Sequence, residues 1–423
     1  MTNHELTRRI DALDTHHIRP THPELYLVPE HESQIGNTVM GYAGIGTFIP
    51  TDVPDLGFRG GYAFNSEYNP FTPHAQDERV QYATLLAERA LSRRERSGAD
   101  ILIVASSTSY DTIAVETQEA LRRRNFTIDT ALYAGLACNG AIEPIMSLSR
   151  DPSYNGCEVV LITVDTVSGT IIDQSPNPED VIVRNLFGNG ATYIAITIGR
   201  DLIHYFGKTV VDPAKDEIQT VPMNEFPRGT LPPPPNYEFW GDGETIYART
   251  ESGFYLNLPL STDGKLRSRG ARVLGRFATN GGKVVYDILH LYRENYESAL
   301  GSLGEAWMHQ PSLPVVRAFT KATHLHTLEK YGIPRGFAKN ILAQREDIRN
   351  RTLQELNIPN DLFPTFPWVM DQTDMNNIVA GTANVALTEM VKSGRIRPGV
   401  RIPVIGLALG NEYSADIVEF TAV

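Results

Sequence analysis

Apolar runs of strand length alternate with amphipathic segments of helix length along most of the chain. Residues 101–105 (ILIVA) and 159–164 (VVLITV) are apolar throughout, as in strands that are covered on both faces. Residues 77–97 instead place their apolar positions at helical spacing. The same alternation returns after residue 280. The pattern predicts an α/β protein in which sheets and helices form layers.

The alternation loosens between about residues 205 and 280. Five residues at 231–235 read LPPPP, which excludes a helix because proline lacks the backbone donor and fixes φ. Residues 247–260 have the pattern of a hairpin, which we interpret as a surface insertion. The chain divides at these breaks into an N-terminal extension (1–34), a first α/β half (35–205) and a second α/β half with insertions (206–423).

Composition narrows the classes of function. The 38 Lys and Arg residues against 50 Asp and Glu residues give a formal charge of −12. With no long basic run, this balance disfavours a nucleic-acid or membrane-surface binder. The N-terminus lacks the apolar core of a signal peptide and no apolar run is long enough to span a bilayer, so we expect a cytoplasmic protein.

The cysteine and histidine positions give little support for a metal site. Two cysteines cannot build a disulfide framework or a Cys-rich zinc site. The histidine pairs at 16–17 and 324–326 lack carboxylates at helical ligand spacing. The sequence therefore predicts no metal site.

Cys138 carries the first chemical signal. It lies in AGLACNGAIEPIM (134–146), after a short apolar strand and before an amphipathic segment. A cysteine at a helix N-terminus has a lowered thiol pKa, because the helix dipole and the unpaired N–H groups favour the thiolate. A single cysteine in an apolar context is more often a core residue.

His309 and Asn377 lie in similar positions further along. His309 ends an apolar strand in EAWMHQPS (305–312), and Asn377 opens a helix of small residues in DMNNIVAG (374–381). Each residue alone would be interpreted as a core histidine or a helix N-cap. The order of Cys, His and Asn, each at the boundary of a strand or helix, is stronger evidence for a functional site than any of the three residues alone.

This ordered set resembles the thiolase superfamily and, more narrowly, the β-ketoacyl-acyl-carrier-protein synthase III type of condensing enzyme. The resemblance covers roughly residues 38–205 and 275–423. The matching segments are GYAGIGTFIP (41–50), GLACNGA (135–141), FGNGATYIAI (187–196), HQP (309–311) and NNIVAG with SGRIRPG (376–381 and 393–399). The resemblance implies a thiolase fold, in which two similar α/β halves form a five-layered α-β-α-β-α arrangement. It also implies a homodimer that needs no cofactor.

The resemblance assigns a role to each residue. Cys138 would be acylated by a thioester, and its backbone N–H, with that of Gly410, would form an oxyanion hole. His309 and Asn377 would stabilise the enolate of a second thioester, malonyl or β-ketoacyl. The implied function is Claisen condensation in fatty-acid or polyketide-type specialised metabolism, with acyl-coenzyme A or acyl-carrier-protein thioesters as substrates.

Three alternatives stay open. Glu116 is a candidate base for non-decarboxylative joining and cyclisation of two β-ketoacyl chains, since some enzymes that this chain resembles supply such a glutamate from the neighbouring subunit. Acyl transfer from Cys138 to a hydroxyl or amine is the second. The third is a catalytically silent partner subunit, against which the intact Cys138, His309 and Asn377 argue.

The nature of the acyl donor depends on two further segments. The family's early Trp/Arg segment, which grips the coenzyme A nucleotide, has no counterpart in residues 55–71, and this favours an acyl carrier protein as donor and partner. Carrier proteins are acidic, so a basic docking patch is required. The candidate patch consists of Lys265, Arg267, Arg269, Arg272 and Arg276.

Overall fold

A computed structural model describes most of the chain. The described residues are 31–49, 55–63, 73–94, 97–167, 170, 183–212, 218–219, 226–227, 231–259, 265–268, 270–296, 303–408 and 412–422. None of the helices in these ranges has the length and apolarity needed to cross a membrane.

The regular elements alternate as the sequence pattern predicts. The strands are β1 (His31–Ile35), β2 (Thr38–Gly44), β3 (Thr47–Ile49), β4 (Gly61–Ala63), β5 (Gly98–Ala105), β6 (Thr127–Gly135), β7 (Glu158–Asp165), β8 (Gly190–Thr197), β9 (Leu202–Val211), β10 (Ile218–Gln219), β11 (Tyr237–Phe239), β12 (Tyr247–Thr250), β13 (Gly253–Leu256), β14 (Arg267–Ser268), β15 (Trp307–Met308), β16 (Arg401–Ala408) and β17 (Glu412–Phe420). The α-helices are α1 (Pro73–Arg93), α2 (Ile113–Arg123), α3 (Glu143–Arg150), α4 (Gly270–Arg276), α5 (Gly282–Tyr296), α6 (Leu313–Lys330), α7 (Arg335–Leu342), α8 (Glu346–Glu355) and α9 (Thr382–Lys392).

Two large mixed sheets organise these elements. The eight-stranded sheet has the order β1-β2-β8-β7-β5-β6-β13-β12, and the five-stranded sheet has the order β11-β9-β17-β16-β15. Strand β5 pairs in parallel with both β6 and β7, as expected for strands that are joined by helical crossovers. Two further pairs, β3 with β4 and β10 with β14, are small.

Helices α3 and α9 form a layer between the two large sheets. Their residues Ile145, Met146, Leu387 and Met390 share one apolar cluster with side chains from both sheets. On the outer face of the larger sheet lie α1 and α2, and on that of the smaller sheet lie α5 and α6. The prediction of a five-layered α-β-α-β-α arrangement is confirmed.

Three features of the fold differ from the sequence prediction. The larger sheet begins at His31, inside the predicted extension, and β9 begins at Leu202 but belongs to the smaller sheet. The hairpin predicted at 247–260 forms as β12 and β13, but it is not a surface insertion: β13 pairs in parallel with β6. Its aromatic residues Phe254 and Tyr255 are buried, so their apolar area stabilises the edge of the sheet.

Candidate active site

Cys138 lies in a tight turn between the larger sheet and the middle layer of helices. A 3-10 turn spans Ala137–Asn139, and α3 begins only at Glu143. The predicted helix N-terminus therefore starts five residues later, since Pro144 fits only the first turn of a helix. Ala137 has φ of +46°, a conformation that a residue with a Cβ adopts only when its surroundings hold it there.

Asn377 has a carboxamide that is oriented by its own chain. Its Oδ1 accepts hydrogen bonds from the Val379 N–H at 2.9 Å and from the Thr382 hydroxyl at 3.0 Å. Its Nδ2 is buried and has no partner among the described residues. Helix α9 starts at Thr382 rather than near residue 378, because Val379 has φ of +53° in the 3-10 turn Val379–Gly381. The amide group is thus held with its donor available to a ligand.

His309 follows β15 and is fully buried. Neither ring nitrogen has a hydrogen-bond partner within the described ranges. Burial lowers the pKa of the imidazole to about 3, because removal from water disfavours the charged form. At neutral pH the ring is therefore uncharged and has one N–H donor to offer.

The turns of Cys138 and Asn377 pack against each other. The side chains of Cys138 and Val379 belong to one apolar cluster, in which Cys138 is 1% exposed. A methyl group on Gly140 would lie 3.3 Å from the Ala380 Cβ. The turn that follows Asn377, at Val379 and Ala380, is therefore in contact with the turn that contains Cys138.

His309 and the Cys138 turn contact two consecutive residues of β16. The His309 backbone N–H donates to the Ile405 carbonyl at 3.3 Å. A methyl group on the next residue, Gly406, would overlap the carboxamide of Asn139, which follows Cys138. The fold thus gathers the three predicted residues, separated by up to 239 positions in sequence, at one end of the two sheets.

The remaining predicted residues do not form one group. Glu116 is half-buried in the first turn of α2, where its carboxylate accepts a hydrogen bond from Gln76 Nε2 at 3.1 Å. Gly410 lies outside the described residues. Within the basic stretch, Arg272 is exposed and Arg276 pairs with Asp212 at 3.0 Å. Lys265 is half-buried, while Arg269 and the side chain of Arg267 are outside the described set.

Sequence reasoning missed residues that orient the predicted ones. Thr382 fixes the Asn377 amide, and Gln310 clamps residues 367–369 through its Nε2 to the Pro367 carbonyl at 2.8 Å and its Oε1 to the Val369 N–H at 3.0 Å. Thr382 is not the N-cap of α9, so the capping signal of a threonine at a helix start does not reveal its contact with Asn377. The partners of Gln310 are more than fifty residues away and have no signal in the sequence.

Comparisons with known proteins bear on the fold. No protein-family model and no curated protein matches the chain. Among solved structures, 3-oxoacyl-(acyl carrier protein) synthase III from Pseudomonas aeruginosa is similar with a TM-score of 0.56 at 16% identity, over 93% of this chain and 98% of that chain. The synthase III from Aquifex aeolicus gives a TM-score of 0.55 at 14% identity, over 93% and 100%.

A polyketide synthase is similar to the same extent. The 1,3,6,8-tetrahydroxynaphthalene synthase from Streptomyces coelicolor, a bacterial type III polyketide synthase, has a TM-score of 0.54 at 12% identity, over 88% of both chains. At sequence identities this low, the similarity of the structures establishes the fold alone. The reaction must be argued from the site. The chain therefore has the thiolase fold, which it shares with synthase III and type III polyketide synthase condensing enzymes.

Proposed function

We propose that the protein is a condensing enzyme that loads an acyl chain on Cys138 and joins it to a second thioester by Claisen condensation. The observation that carries this proposal is the pair of buried neutral donors beside the Cys138 turn. The His309 ring and the Asn377 Nδ2 have no partners among the described residues. Buried polar groups are rarely left unpaired unless a ligand completes them.

In the loading step, the Cys138 thiolate attacks the carbonyl carbon of an acyl thioester. The carbonyl electrons move to the oxygen, and the tetrahedral oxyanion collapses with expulsion of the donor thiolate, which leaves the acyl group on the sulfur. The backbone N–H of Cys138 would bind that oxyanion, with a second donor from the segment that contains Gly410. The strained Ala137 supports this role, because such backbone strain persists where it sets functional geometry.

In the condensing step, His309 and Asn377 would both donate to the thioester carbonyl oxygen of the second substrate. For a malonyl group, the bond to the carboxylate breaks, CO₂ leaves and the electron pair becomes the enolate. The enolate carbon then attacks the acyl-cysteine, and the Cys138 thiolate departs. Two uncharged donors stabilise the developing negative charge without a metal, and the lowered pKa of His309 keeps the ring in that neutral state.

A basic cavity along helix α6 supports a phosphate-bearing donor. The cavity has a volume of about 590 Å³, and its lining includes Arg317, Lys321, Lys339 and Arg349 over an apolar floor with Phe366 and Trp368. No carboxylate lines it, and none of the four cations forms an ion pair with a described carboxylate. Pantetheine carries a phosphate both in coenzyme A and on carrier proteins, and Arg and Lys are the side chains that recognise phosphate.

Gln310 joins the end of β15 to the segment that carries Trp368, one of the cavity-lining residues. This residue follows His309 in the chain. Helix α6, which carries Arg317 and Lys321, begins four residues after His309 at Leu313. A donor whose phosphate lies in this cavity would therefore enter from the His309 end. This cavity is a second docking candidate beside the stretch from Lys265 to Arg276.

Charge reversal in the cavity tests donor recognition. In Arg317→Glu and Lys321→Glu proteins, we expect KM for acyl-coenzyme A or acyl-carrier-protein donors to rise at least about tenfold, equivalent to 1.4 kcal/mol of lost binding. KM for an acyl-N-acetylcysteamine thioester, which has no phosphate, should not change. Lys330→Glu, at the far end of the same helix, is the matched control. Equal KM values for all donors in all variants would exclude the cavity.

Intact-protein mass spectrometry tests the reaction itself. Incubation with a panel of acyl thioesters should add one acyl mass, and addition of malonyl thioester should discharge it with release of CO₂. Cys138→Ala should abolish the adduct, whereas Cys157→Ala, which removes the other cysteine, should keep it. His309→Ala should load and fail to condense.

The same experiment separates the alternatives. No adduct with any donor would favour a silent partner subunit. An adduct that clears only with a β-ketoacyl thioester would favour non-decarboxylative joining, for which Glu116 is the candidate base. An adduct that clears only with an alcohol or amine would make the protein an acyl-transfer enzyme.

A further inference from the structure

The basic cavity along helix α6 is elongated, and one of its ends lies toward His309. Its lining residues Leu313 and His324 are eleven positions apart on the same helix, which corresponds to about 16 Å along the helix axis. Leu313 follows His309 by four residues. The Leu313 end of the cavity therefore lies within about 14 Å of the His309 backbone, which is the reach of four extended residues.

Helices α7 and α8 form a wall at the other end of the cavity. Their residues Ala338 and Leu353 pack with Leu328 of α6 in one apolar cluster. Leu328 lies in the last turn of α6, so this α7–α8 wall packs against the end of the helix that is remote from its start. Lys339 on α7 and Arg349 on α8 line the cavity from this wall.

The cations lie beyond the Leu313 end of the cavity. At that end Leu313 and Trp368 adjoin each other, because a methyl group on Gly57 would overlap both side chains. Arg317 and Lys321 follow on α6, about one and two turns after Leu313. The two cations of the α7–α8 wall come last. A ligand that extends toward His309 would thus have an apolar part at Leu313 and an anionic part beyond it.

The number of cations distinguishes the two donors that carry a phosphate. The arm of a carrier protein has one phosphodiester, with a charge of about −1, whereas the nucleotide of coenzyme A has a diphosphate and a 3′-phosphate, with a total charge of about −4. Among the described residues, four cations and no carboxylate line the cavity, and its volume of about 590 Å³ is typical of a small-molecule site. The nucleotide would pair with all four cations, whereas the carrier arm would leave most of them without an anion.

We propose that the basic cavity binds the nucleotide of coenzyme A and that Lys339 and Arg349 bind its 3′-phosphate. The pantetheine arm then lies over Leu313 and Trp368. From its phosphate oxygen to its sulfur, the arm has about twelve bonds, as many as four residues of backbone. It can therefore span the distance between Leu313 and His309.

The inference rests on the proposed function and narrows its donor to coenzyme A thioesters. Residues 55–71 favour a carrier protein only because they lack the Trp/Arg segment that grips the nucleotide. The α7–α8 wall supplies a grip from another part of the chain, so that argument does not exclude coenzyme A. Binding to the cavity needs no acyl transfer, and it can be measured separately.

Calorimetric titration with two ligands tests the site without any chemistry. Dephospho-coenzyme A lacks only the 3′-phosphate, so wild type should bind coenzyme A at least about tenfold more tightly, as expected for charged hydrogen bonds to a phosphate. In Lys339→Gln and Arg349→Gln proteins, this ratio of affinities should fall toward one. Arg317→Gln should weaken both ligands equally, because its cation faces the part that they share.

Two further arginines of the same helices are the matched controls. Arg335 on α7 pairs with Glu329 at 3.6 Å. Arg351 on α8 pairs with Asp347 at 4.0 Å, and neither arginine lines the cavity. Arg335→Gln and Arg351→Gln remove the same charge as the test variants, so they reproduce any long-range electrostatic effect. Both should keep the wild-type ratio of affinities.

The same variants connect the site to acyl loading. In Lys339→Gln and Arg349→Gln proteins, KM for an acyl-coenzyme A donor should rise about tenfold, as for the loss of one charged hydrogen bond. KM for an acyl-carrier-protein donor should not change, because its arm has no 3′-phosphate.

Each outcome decides one point. Equal affinities of wild type for coenzyme A and dephospho-coenzyme A would overturn the 3′-phosphate site. A wild-type ratio that persists in both Lys339→Gln and Arg349→Gln would overturn the assignment to these two residues. Loading from an acyl carrier protein without any binding of coenzyme A would overturn the inference and leave the proposed function standing. Binding that depends on the 3′-phosphate, with no loading from any donor, would contradict the proposed function alone.

Discussion

The two sides of the site hold their polar groups in opposite ways. Behind Cys138, charged groups are buried together, with Arg150 neutralised by Glu143 and Asp416. On the other side, the His309 ring and the Asn377 carboxamide are uncharged, and their donors are unpaired among the described residues. The first side is built around a compensated buried cation, and the second around neutral donors.

The difference follows from what each side would do. A nucleophile turn must keep one geometry through two chemical steps, and a compensated buried network gives rigidity at the cost of desolvation. An enolate site must bind a charge that exists only during reaction, so its donors must be unpaired beforehand. Experiments that disturb one side should therefore leave the function of the other side intact.

Loss of Arg150 should give the largest effect. Arg150→Met leaves Glu143 and Asp416 buried without their cation, and we expect the free energy of unfolding to fall by about 3–5 kcal/mol. Urea denaturation measures it. Arg395→Met is the control, because its partner Glu305 is partly exposed and such pairs contribute only about 0–1 kcal/mol. Similar losses in both variants would mean that the buried network has no special weight.

Loss of the Asn377 amide should affect one chemical step. Asn377→Ala removes a donor to the enolate oxygen, so condensation should slow by about 10²–10³-fold while acyl loading on Cys138 is unchanged. Single-turnover mass spectrometry follows both steps. The neighbouring Asn376→Ala, also buried, is the control. Full condensation by Asn377→Ala would contradict the enolate assignment.

A smaller effect is expected from the residue that orients this amide. Thr382→Val removes the hydroxyl that donates to Asn377 Oδ1, and the loss of one buried hydrogen bond, about 1–1.5 kcal/mol, should slow condensation roughly tenfold without affecting loading. Thr388→Val removes a comparable buried hydroxyl of the same helix, which bonds the Asn384 carbonyl at 2.7 Å. Equal rates in the two variants would show that the Asn377 orientation does not depend on Thr382.

The pH dependence of stability should report the burial of His309. Because the pKa of His309 is lowered to about 3, the unfolded chain binds a proton below a pKa of about 6.5 that the folded protein does not. Wild-type stability should therefore fall as the solution is acidified, by about tenfold in the unfolding constant from pH 7.5 to 5.5 relative to His309→Gln. Thermal denaturation at several pH values measures this ratio. A ratio that does not change with pH would mean that His309 titrates normally in the folded state.

The sequence predicted those parts of the candidate site that depend on neighbouring residues. The places of Cys138, His309 and Asn377 at element boundaries are recorded in short stretches of apolar pattern. The strands before Cys138 and His309 end as predicted, whereas α3 and α9 begin later, at Glu143 and Thr382. Arg150 gives only the signal of a basic residue at the end of a helix. Its role depends on Asp416, 266 residues later in the chain. No local pattern records contacts at that separation.

By itself, the sequence determined the alternation of strands and helices, the layered α/β class and the order of the three candidate residues. It did so because periodicity and strand-end position are properties of neighbouring residues. Only the tertiary structure decided that β12 and β13 complete the first sheet, that four cations line one cavity and that Arg150 meets Asp416. These arrangements depend on packing between distant segments, where burial sets the protonation of each group and the partner it finds.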